Sequence, residues 1–460
     1  MRFLSAAVPT LMMSLMITTA ASAATTPVQW QGQLQSEIER LSANSPDIEA
    51  LGRVSVEEVN GQLQATIPTL MITSPDKSTW QIPSITMVGS TSSDTVTITL
   101  PSTITRYNAA KAPIATMKLG QQSLNGRWNH AGNYFNSLNG NIKTITFEDT
   151  IAKSLSRVAN AAITANKASD IQLTASDINT SMNKNGKTLN SAIGRMNIAY
   201  RLPEANGLTL TGVIGLFNPS ILLSEGRKVG ITVTAEQASA TDENSRTTTI
   251  EKVASDWNLE AKGTIIAATT KTQAFIVRQT PESVYSFALP QKLDLNASIA
   301  NLPRQLVSFA PGMSFTMAKE ELAKAGTTIN LSKLTLTTFD QGVIEGNGSV
   351  KANSTVPSGF VGRVTLKIKD LKGMISTSQM QLLQPQQGVN RAAKTQSVMA
   401  LMLLQSMGKQ NGNDTEFVLD LTPEGQTMVN GQDFSGLLSG LKGGKAMPSL
   451  PVTPVKGSDL

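Results

Sequence analysis

The chain has one histidine, His130, and it stands in the densest cluster of aromatic and amide side chains, residues 126–135. An imidazole in such a cluster could act as a general base or form part of a binding site. No nucleophile or acidic partner stands nearby in the sequence. We therefore interpret the segment as a loop or strand edge whose aromatic side chains anchor it to a sheet, with the binding or catalytic role as the alternative.

Serine and lysine occur at Ser-x-x-Lys spacing three times, as Ser74–Lys77, Ser181–Lys184 and Ser439–Lys442. A serine–lysine acyl transferase needs such a pair at the start of a buried helix, together with companion motifs. These pairs instead contain or adjoin turn residues, and chance explains three matches in a serine-rich chain. The run Gly186-Lys187-Thr188 lacks the upstream glycine of a phosphate-binding loop, because position 181 is serine.

Metal and redox chemistry is restricted by composition, since the chain has no cysteine and a single histidine. Disulfides, thiolate metal sites, a cysteine nucleophile and two-histidine metal sites are thereby excluded. The adjacent pairs Glu57-Glu58 and Glu320-Glu321 are typical of solvated surface rather than of a catalytic dyad. We predict no catalytic residue, no metal ligand and no cofactor, and ligand-binding residues stay unassigned. Carboxylates distant in sequence leave an enzyme with a cryptic site as an alternative.

Methionines and cations in the last third have two interpretations each. Met399, Met402 and Met407 could suggest soft-metal binding. At helical spacing, with leucines between them, they indicate core packing or an adaptable apolar surface instead. Arg363, Lys367 and Lys369 line the polar side of one predicted strand, where a solvated face is the default and contact with an anionic headgroup is the alternative.

Residues 1–23 have the three parts of a secretory signal: a positive start, a short apolar stretch and the small residues Ala21-Ser22-Ala23. We predict cleavage after Ala23. The membrane-anchor alternative would need about 20 apolar residues, and Pro9 and Thr10 interrupt this stretch. No later stretch is long enough to cross a bilayer. A disulfide-free exported chain fits a bacterial periplasm.

The composition narrows the class of partner. Aromatic residues make up 4% of the chain, which argues against carbohydrate platforms and against single-stranded nucleic acid, because both need stacking side chains. The net charge of +6 could favour anionic polymers or lipid headgroups, or could be ordinary solubility charge. We expect an envelope lipid or an envelope protein as the partner, no nucleic acid and no transmembrane segment. The oligomeric state stays unassigned.

Threonine-rich alternation dominates the chain: Val96, Ile98 and Leu100, for example, alternate with threonines. An apolar face on one side and a solvent-exposed face on the other are typical of antiparallel sheets. The fold class predicted is mainly β (α+β), with one or more large curved antiparallel sheets and a few helices packed on the apolar face. Strands are predicted near 63–67, 96–100, 145–147, 171–173, 196–202, 208–213, 229–235, 259–265, 284–289, 329–336, 343–350, 364–368 and 417–421. Hairpin turns are predicted at 59–62 and 182–187.

Helical spacing of apolar residues interrupts the strands. It predicts a helix over 29–43 with Trp30, Leu34, Ile38 and Leu41 on one side, and a helix over 150–166 with Ile151, Leu155, Val158, Ala162 and Ile163 on one side. A third helix is predicted near 316–325. A fourth is predicted over 389–408, with Val389, Ala393, Met399, Leu403 and Met407 on one side. After the signal we expect a β-rich region at 24–305, a boundary near 300–315 and a C-terminal β-rich module at 306–440. The last segment, 441–460, is expected to be a disordered tail.

A resemblance appears in the last third. Its residues are the strand Gly326–Leu336, the strand Gly342–Val350, the strand Gly362–Leu371 and the closing segment Glu424–Gly431. They are similar to an exported bacterial family known as a domain of unknown function, number 2125, and more distantly to AsmA-type envelope proteins. The resemblance implies long curved sheets, a role in envelope lipid homeostasis and no catalytic residues. The threonine-rich first two thirds depart from that pattern.

Together these observations favour a non-enzymatic, exported envelope protein whose curved sheet shelters a lipid or other apolar ligand. A structural scaffold with a filled interior is one alternative. The enzyme with a cryptic site is the other. An open apolar groove would favour ligand binding, a packed interior the scaffold, and a polar cleft around His130 the enzyme.

Overall fold

The computed structural model describes residues 26–44, 47–74, 77–90, 93–167, 170–203, 205, 207–215, 219–223, 228–281, 289–306, 315–338, 342–383 and 391–435. The predicted leader, 1–23, and the predicted tail, 441–460, lie outside these residues. Within them the protein is mostly antiparallel β-sheet with few helices, as the sequence predicts.

Six α-helices are described, and they are short apart from the first and the last. Their bounds are α1 Pro27–Asn44, α2 Leu210–Gly215, α3 Pro219–Leu223, α4 Phe315–Lys324, α5 Leu371–Leu383 and α6 Arg391–Met407. One 3₁₀ turn spans Arg304–Leu306. None of the helices in the described ranges is both long and apolar enough to cross a bilayer.

The first group of strands is short, mostly four to nine residues each. Its members are β1 Ile48–Leu51, β2 Ser55–Val59, β3 Gln62–Ile67, β4 Thr69–Thr73, β5 Thr79–Ile82, β6 Ile85–Ser90, β7 Thr95–Thr99, β8 Thr103–Tyr107, β9 Pro113–Leu119, β10 Gln122–Asn129, β11 Tyr134–Ile142, β12 Ile145–Asp149, β13 Ser154–Val158 and β14 Asn160–Lys167.

The second group begins with long strands of ten to sixteen residues and ends with four short ones. Its members are β15 Asp170–Lys184, β16 Lys187–Arg201, β17 Lys228–Thr241, β18 Thr247–Lys262, β19 Ile265–Thr280, β20 Pro290–Pro303, β21 Thr328–Thr338, β22 Val343–Ala352, β23 Phe360–Lys369, β24 Lys409–Asn411, β25 Asp414–Leu421, β26 Thr427–Val429 and β27 Gln432–Asp433.

Strand β15 joins three parts of the sheet, because its two halves have different partners on one edge. Its first half pairs with β14, and the ladder continues through β11, β10, β7, β6, β3 and β2. Its second half pairs with β13, and that ladder continues through β12, β9, β8, β5, β4 and β1. On its other edge β15 pairs with β16, from which the ladder runs to β23 and then β25.

The main hydrophobic core takes residues from both short-stranded arms and from α1. Trp30, Leu34 and Ile38 of α1 are almost fully buried, with Met87 and Met117 from the two arms. Leu41, the fourth predicted member of this helix face, is also buried. The helix predicted over 29–43 and its apolar side are therefore confirmed, because one stripe of large side chains meets the sheet.

The helix predicted over 150–166 is wrong. This segment forms β13 and β14, and Ile151 is 69% exposed. Val158 and Ile163 are buried because each lies on the inner side of a strand, not because they share a helix face. The apolar residues fit both a helical and an alternating pattern. The segment forms strands because its backbone pairs with β12 and β15.

Two strand predictions also need correction, and a third stays untested. Residues 208–213 lie mainly in α2, and Leu208 makes only an isolated bridge to Phe135. The segment 259–265 contains the turn between β18 and β19, at which Gly263 has a φ of +65°. Of the predicted strand 284–289, residues 284–288 lie outside the described residues. Both predicted hairpins are confirmed, with Asn-Gly at positive φ in each turn.

A line of irregular positions crosses the sheet from β15 to β19. Asp177, Gly194, Gln237, Glu251 and Ile276 are each skipped in the pairing of neighbouring strands. Asp177, Gln237 and Ile276 have φ values of 50°, 54° and 49°. The strand register is the same on both sides of each skipped position, so the pairing is interrupted locally and no residue is inserted.

The boundary predicted near 300–315 does not interrupt the sheet, since β20 pairs with β21 over the length of both strands. The cores do differ on its two sides. A second, smaller core contains Ile368, Leu371, Met374, Leu401 and Phe417. Helix α4 confirms the weak helical pattern near 316–325, and α6 confirms the helix over 389–408.

Candidate functional site

Four rows of apolar positions cross strands β20, β21, β22, β23 and β25 on one side of the sheet. The strand registers give the rows as Leu293–Leu336–Ile344–Ile368–Thr415, Leu295–Leu334–Gly346–Leu366–Phe417, Ala297–Leu331–Gly348–Val364–Leu419 and Ile299–Ile329–Val350–Gly362–Leu421. Because side chains alternate along a strand, these positions share one surface. We call this surface the apolar face. Five strands at about 4.8 Å spacing make it about 19 Å wide.

Two packed layers meet the apolar face at its ends. Ile368 and Phe417 are buried against α5 and α6, and Ile344, Leu366 and Leu419 pack at the edge of the same core. At the far end Ile299 packs against the main core. The face is therefore anchored at both ends by well-packed regions of the protein.

The centre of the apolar face is different, because its side chains join neither core. Leu295, Leu331, Leu334, Val350 and Val364 are all half-buried, and none packs against either buried cluster. Leucine and valine in a protein interior are usually fully buried by their neighbours. Within the described residues, then, this stretch is an apolar surface that is partly open to solvent.

Glycines let the strands approach closely at the centre of the face. Gly346 and Gly348 stand at face positions of β22, and Gly362 stands at a face position of β23. A β-carbon at Gly362 would lie 2.3 Å from the carbonyl oxygen of Ser349. The space over Gly346 is taken by Leu366 and Leu334, whose methyl carbons would lie 2.7 and 3.3 Å from a β-carbon there.

The opposite side of the same strands carries ion pairs. Arg363 donates two hydrogen bonds to the Asp420 carboxylate in a bidentate ion pair, from Nε to Oδ1 at 2.5 Å and from Nη2 to Oδ2 at 3.1 Å. Two further pairs are Lys367–Asp414 at 2.7 Å and Lys369–Glu345 at 2.5 Å. Hydrogen bonding to the carboxylate raises the pKa of Lys367 and lowers that of Asp414.

These ion pairs determine how much positive charge on the polar side of the sheet is free to bind an anion. The three cations singled out in the sequence lie on an exposed, charge-balanced surface, which is the solvated face that the sequence favours. Each already has a carboxylate partner across the ladder. Exposed pairs of this kind contribute little to stability, and they leave little free positive charge for an anion.

His130 lies between two tryptophans and joins α1 to β10. Its ring contacts Trp30 and Trp128 edge to face, with ring centroids 6.2 and 6.4 Å apart. Gln33 donates a 2.6 Å hydrogen bond to the His130 carbonyl oxygen. Burial lowers the pKa of the imidazole, with the charge of Asp94 opposing that shift. The geometry is that of the aromatic anchor that the sequence favours.

The remaining sequence candidates do not assemble a reactive pair. Ser74 and Lys77 stand in the tight turn between β4 and β5. Ser181 and Lys184 belong to β15, and Lys184 contacts Glu243. Ser439 and Lys442 lie outside the described residues. Gly186 and Lys187 form the hairpin turn into β16.

The adjacent carboxylates and the methionines take different positions. Glu57 and Glu58 lie on β2 with exposed side chains. Glu320 and Glu321 lie on α4, where Glu321 pairs with Lys324 at 2.9 Å. The predicted apolar side of 389–408 is partly wrong: Met399 is 56% exposed, whereas Val398 and Leu401 are buried. Met407 does pack on the smaller core.

A polar cleft of about 640 Å³ lies beside β13 and β15 rather than around His130. Its charged lining residues are Glu148, Asp149, Lys153 and Arg157. Within the described parts of the chain, no group of three or more His, Cys, Asp or Glu side chains could hold a metal ion. The cleft can accept a polar ligand by hydrogen bonding, but no nucleophile in it is hydrogen-bonded to a general base in the contacts described.

Sequence reasoning found the strands of the apolar face but not the open centre of that face. The alternation of Leu334 and Leu336 with threonines signals a one-sided strand, yet it cannot show whether another element covers that side. Helix α5, which covers one end, also lay outside the predicted helices. No protein-family model, no curated protein and no solved structure matches this chain.

Proposed function

We propose that this protein binds a lipid or another apolar ligand along the apolar face. The observation that carries the proposal is the half-buried centre of that face, where Leu295, Leu334 and Val364 join neither core. A surface of neighbouring leucines and valines is costly to leave in water, at about 25 cal/mol per Å². An apolar ligand would remove that cost.

The shape of the face suits a chain-like ligand. The rows of apolar positions run across five strands and are about 19 Å long. Each buried methylene contributes about 0.8 kcal/mol, so ten of them contribute about 8 kcal/mol before the cost of ordering the ligand. Burial of an acyl chain on the face is therefore a favourable contribution to binding, from which the cost of association is subtracted.

The remaining parts of the proposal come from the sequence. The features of residues 1–23 support export to the periplasm. The similarity of residues 326–431 to the exported family known as domain of unknown function 2125, and more distantly to AsmA-type proteins, supports a role in envelope lipid homeostasis. We propose membership of that family on the strand and turn pattern alone. Such a pattern supports a similar fold but assigns no chemical activity.

A structural scaffold of the envelope is the second candidate, and one observation favours it. The main core is densely filled by both arms and by α1, with Trp128, Leu138 and Ile171 almost fully buried. The described apolar side chains of that half pack into one large buried cluster. The two candidates therefore make opposite statements about the C-terminal half of the sheet only.

Native mass spectrometry of the full protein, purified from a bacterial envelope, tests the proposal. Val364→Glu places a carboxylate on the apolar face, and Thr365→Glu is its matched control on the polar side of the same strand. We expect co-purified lipid with the unmodified protein and with Thr365→Glu, and a loss of at least tenfold with Val364→Glu.

Two results would overturn the proposal. The first is protein that is consistently ligand-free and takes up no lipid from added vesicles. The second is equal lipid content in both variants, which would place the ligand elsewhere. Circular dichroism and the urea midpoint of each variant show whether it is folded.

A further inference from the structure

The two C-terminal helices carry an apolar surface that faces outward. Met380 and Leu383 of α5 are 58% and 83% exposed, and Met399 and Met402 of α6 are 56% and 46% exposed. We call these four side chains the helical patch. They are half of the large apolar side chains that are strongly exposed among the described residues. They lie on two helices that contact each other, and exposed apolar side chains on neighbouring elements are typical of a contact surface.

The other sides of both helices are fixed to the sheet. Leu371, Met374 and Ile375 of α5 and Leu401 of α6 are buried against Ile368 and Phe417. The apolar residues of these helices thus form two sets, one packed inward and one directed outward. The helical patch is therefore additional to the smaller core, which the inward set alone supplies.

The stretch of sequence that carries the patch contains cations and no carboxylates. From Leu371 to Asn413 the sequence contains no aspartate or glutamate, but it contains Lys372, Arg391, Lys394 and Lys409. None of these four cations forms an ion pair with a carboxylate in the described parts of the chain. This contrasts with the adjoining strands, where Arg363, Lys367 and Lys369 are paired.

The placement of two of these cations opposes helix stability. Arg391 and Lys394 occupy the first turn of α6, which has no acidic residue. The positive end of the helix dipole lies there and favours anions, so cations in that turn are destabilising. An external anionic partner near the first turn of α6 would compensate for them.

We propose that the helical patch docks the protein on an anionic lipid surface. Helices that lie on membranes combine exposed apolar side chains with lysine and arginine at the edges of the apolar surface. Methionine suits this role because its flexible side chain adapts to irregular surroundings. A second copy of the chain fits less well, because a symmetric contact would bring the four cations of each copy together. The inference goes beyond the ligand binding proposed for the apolar face and does not depend on it.

Vesicle flotation with the full protein tests the docking. We expect binding to vesicles containing phosphatidylglycerol, little binding to phosphatidylcholine alone, and loss of binding as the salt concentration rises. Arg391→Gln should weaken binding about fivefold, the effect of one cation at an anionic surface. Its control, Lys351→Gln, removes an exposed cation from the polar side of β22 and should leave binding unchanged.

The apolar part of the patch has its own matched pair of variants. Met399→Glu should reduce vesicle binding at least tenfold. Ile151→Glu changes an apolar residue of similar exposure, 69%, far away in the sequence, and should have no effect. Val364→Glu on the apolar face should also bind vesicles normally, so that failure of the docking proposal and failure of the ligand-binding proposal are distinguishable.

Two outcomes would overturn the docking proposal. One is equal binding to neutral and anionic vesicles, and the other is normal binding by Met399→Glu. Normal binding together with a change in oligomeric state, measured by light scattering, would assign the patch to a contact between copies. The urea midpoints of the variants establish that each is folded.

Discussion

Leu295 of β20 lies directly opposite Leu334 of β21, and both side chains are half-buried outside either core. An opposed leucine pair of this kind normally lies beneath a second layer of structure. In the described residues this pair has no such layer. The stability lost when one of these leucines is truncated therefore distinguishes an open face from a covered one.

The first prediction concerns the stability contribution of this pair. Leu295→Ala should cost about 1 kcal/mol, because the leucine is still partly hydrated and its removal leaves no closed cavity. Leu173→Ala in the main core, where the side chain is 1% exposed, should cost about 2–5 kcal/mol. Urea unfolding of both variants measures the difference. Equal costs would show that the face is covered and would favour the scaffold.

A second prediction concerns the backbone under the apolar face. Gly362 has a φ of +146°, and a β-carbon there would meet Ser349 at 2.3 Å and Val350 at 2.7 Å, in each case a backbone atom. Gly362→Ala should therefore destabilise the protein by about 1–3 kcal/mol, since backbone atoms of β22 must move.

Gly32→Ala is the control for that substitution. Gly32 lies in α1 with open space around the position of a β-carbon. Alanine is favoured over glycine in a helix, so this change should stabilise the protein by about 1 kcal/mol. The urea midpoints should thus move in opposite directions. A neutral Gly362→Ala would mean that the two strands are not held as closely as described.

The sequence predicts those features that depend on local pattern. Trp30, Leu34, Ile38 and Leu41 recur at helical spacing, and they lie on the buried side of α1. Asn60-Gly61 and Asn185-Gly186 form the tight turns that such pairs favour, because both positions take positive φ. For these elements a few neighbouring residues contain the necessary information.

Other features depend on contacts between distant residues. Val158 and Ile163 satisfy a helical spacing, yet Val158 pairs with β12 and Ile163 pairs with β11 and β15, which makes both of them strand residues. The same holds for the candidate site. That Leu334 faces an open surface depends on which element packs above β21, and no local pattern contains that information. Met399 likewise points outward because Val398 and Leu401 take the inner side of α6.

The third prediction is a pH dependence that arises from His130. Burial lowers the pKa of this imidazole in the folded state below its ordinary value of 6.5, although Asp94 opposes the shift. The unfolded chain then takes up a proton before the folded protein does. The free energy of unfolding should therefore decrease as the pH falls through about 6.5 and continue to decrease until the folded-state pKa is reached.

His130→Gln isolates this effect, because it removes the titrating group and keeps a polar side chain. Urea unfolding of both proteins between about pH 7.5 and 5.5 gives the two slopes, in a range where aspartate and glutamate stay mostly ionised. The slope should be smaller in the variant, even though the loss of contacts with Trp30 and Trp128 lowers its stability at every pH. Identical slopes would contradict the assignment.

The fourth prediction uses methionine oxidation to map the helical patch. Peroxide converts an accessible thioether to a polar sulfoxide, and the reaction follows exposure. Met399 and Met402 should therefore oxidise well before Met87 and Met117, which are fully buried in the main core. Peptide mass spectrometry over a time course measures the four rates. Rates for Met399 and Met402 as slow as those of Met87 and Met117 would show that the patch is covered in the free protein.

If the patch is open, anionic vesicles should slow oxidation of Met399 and Met402 and neutral vesicles should not, because docking places these side chains among the acyl chains.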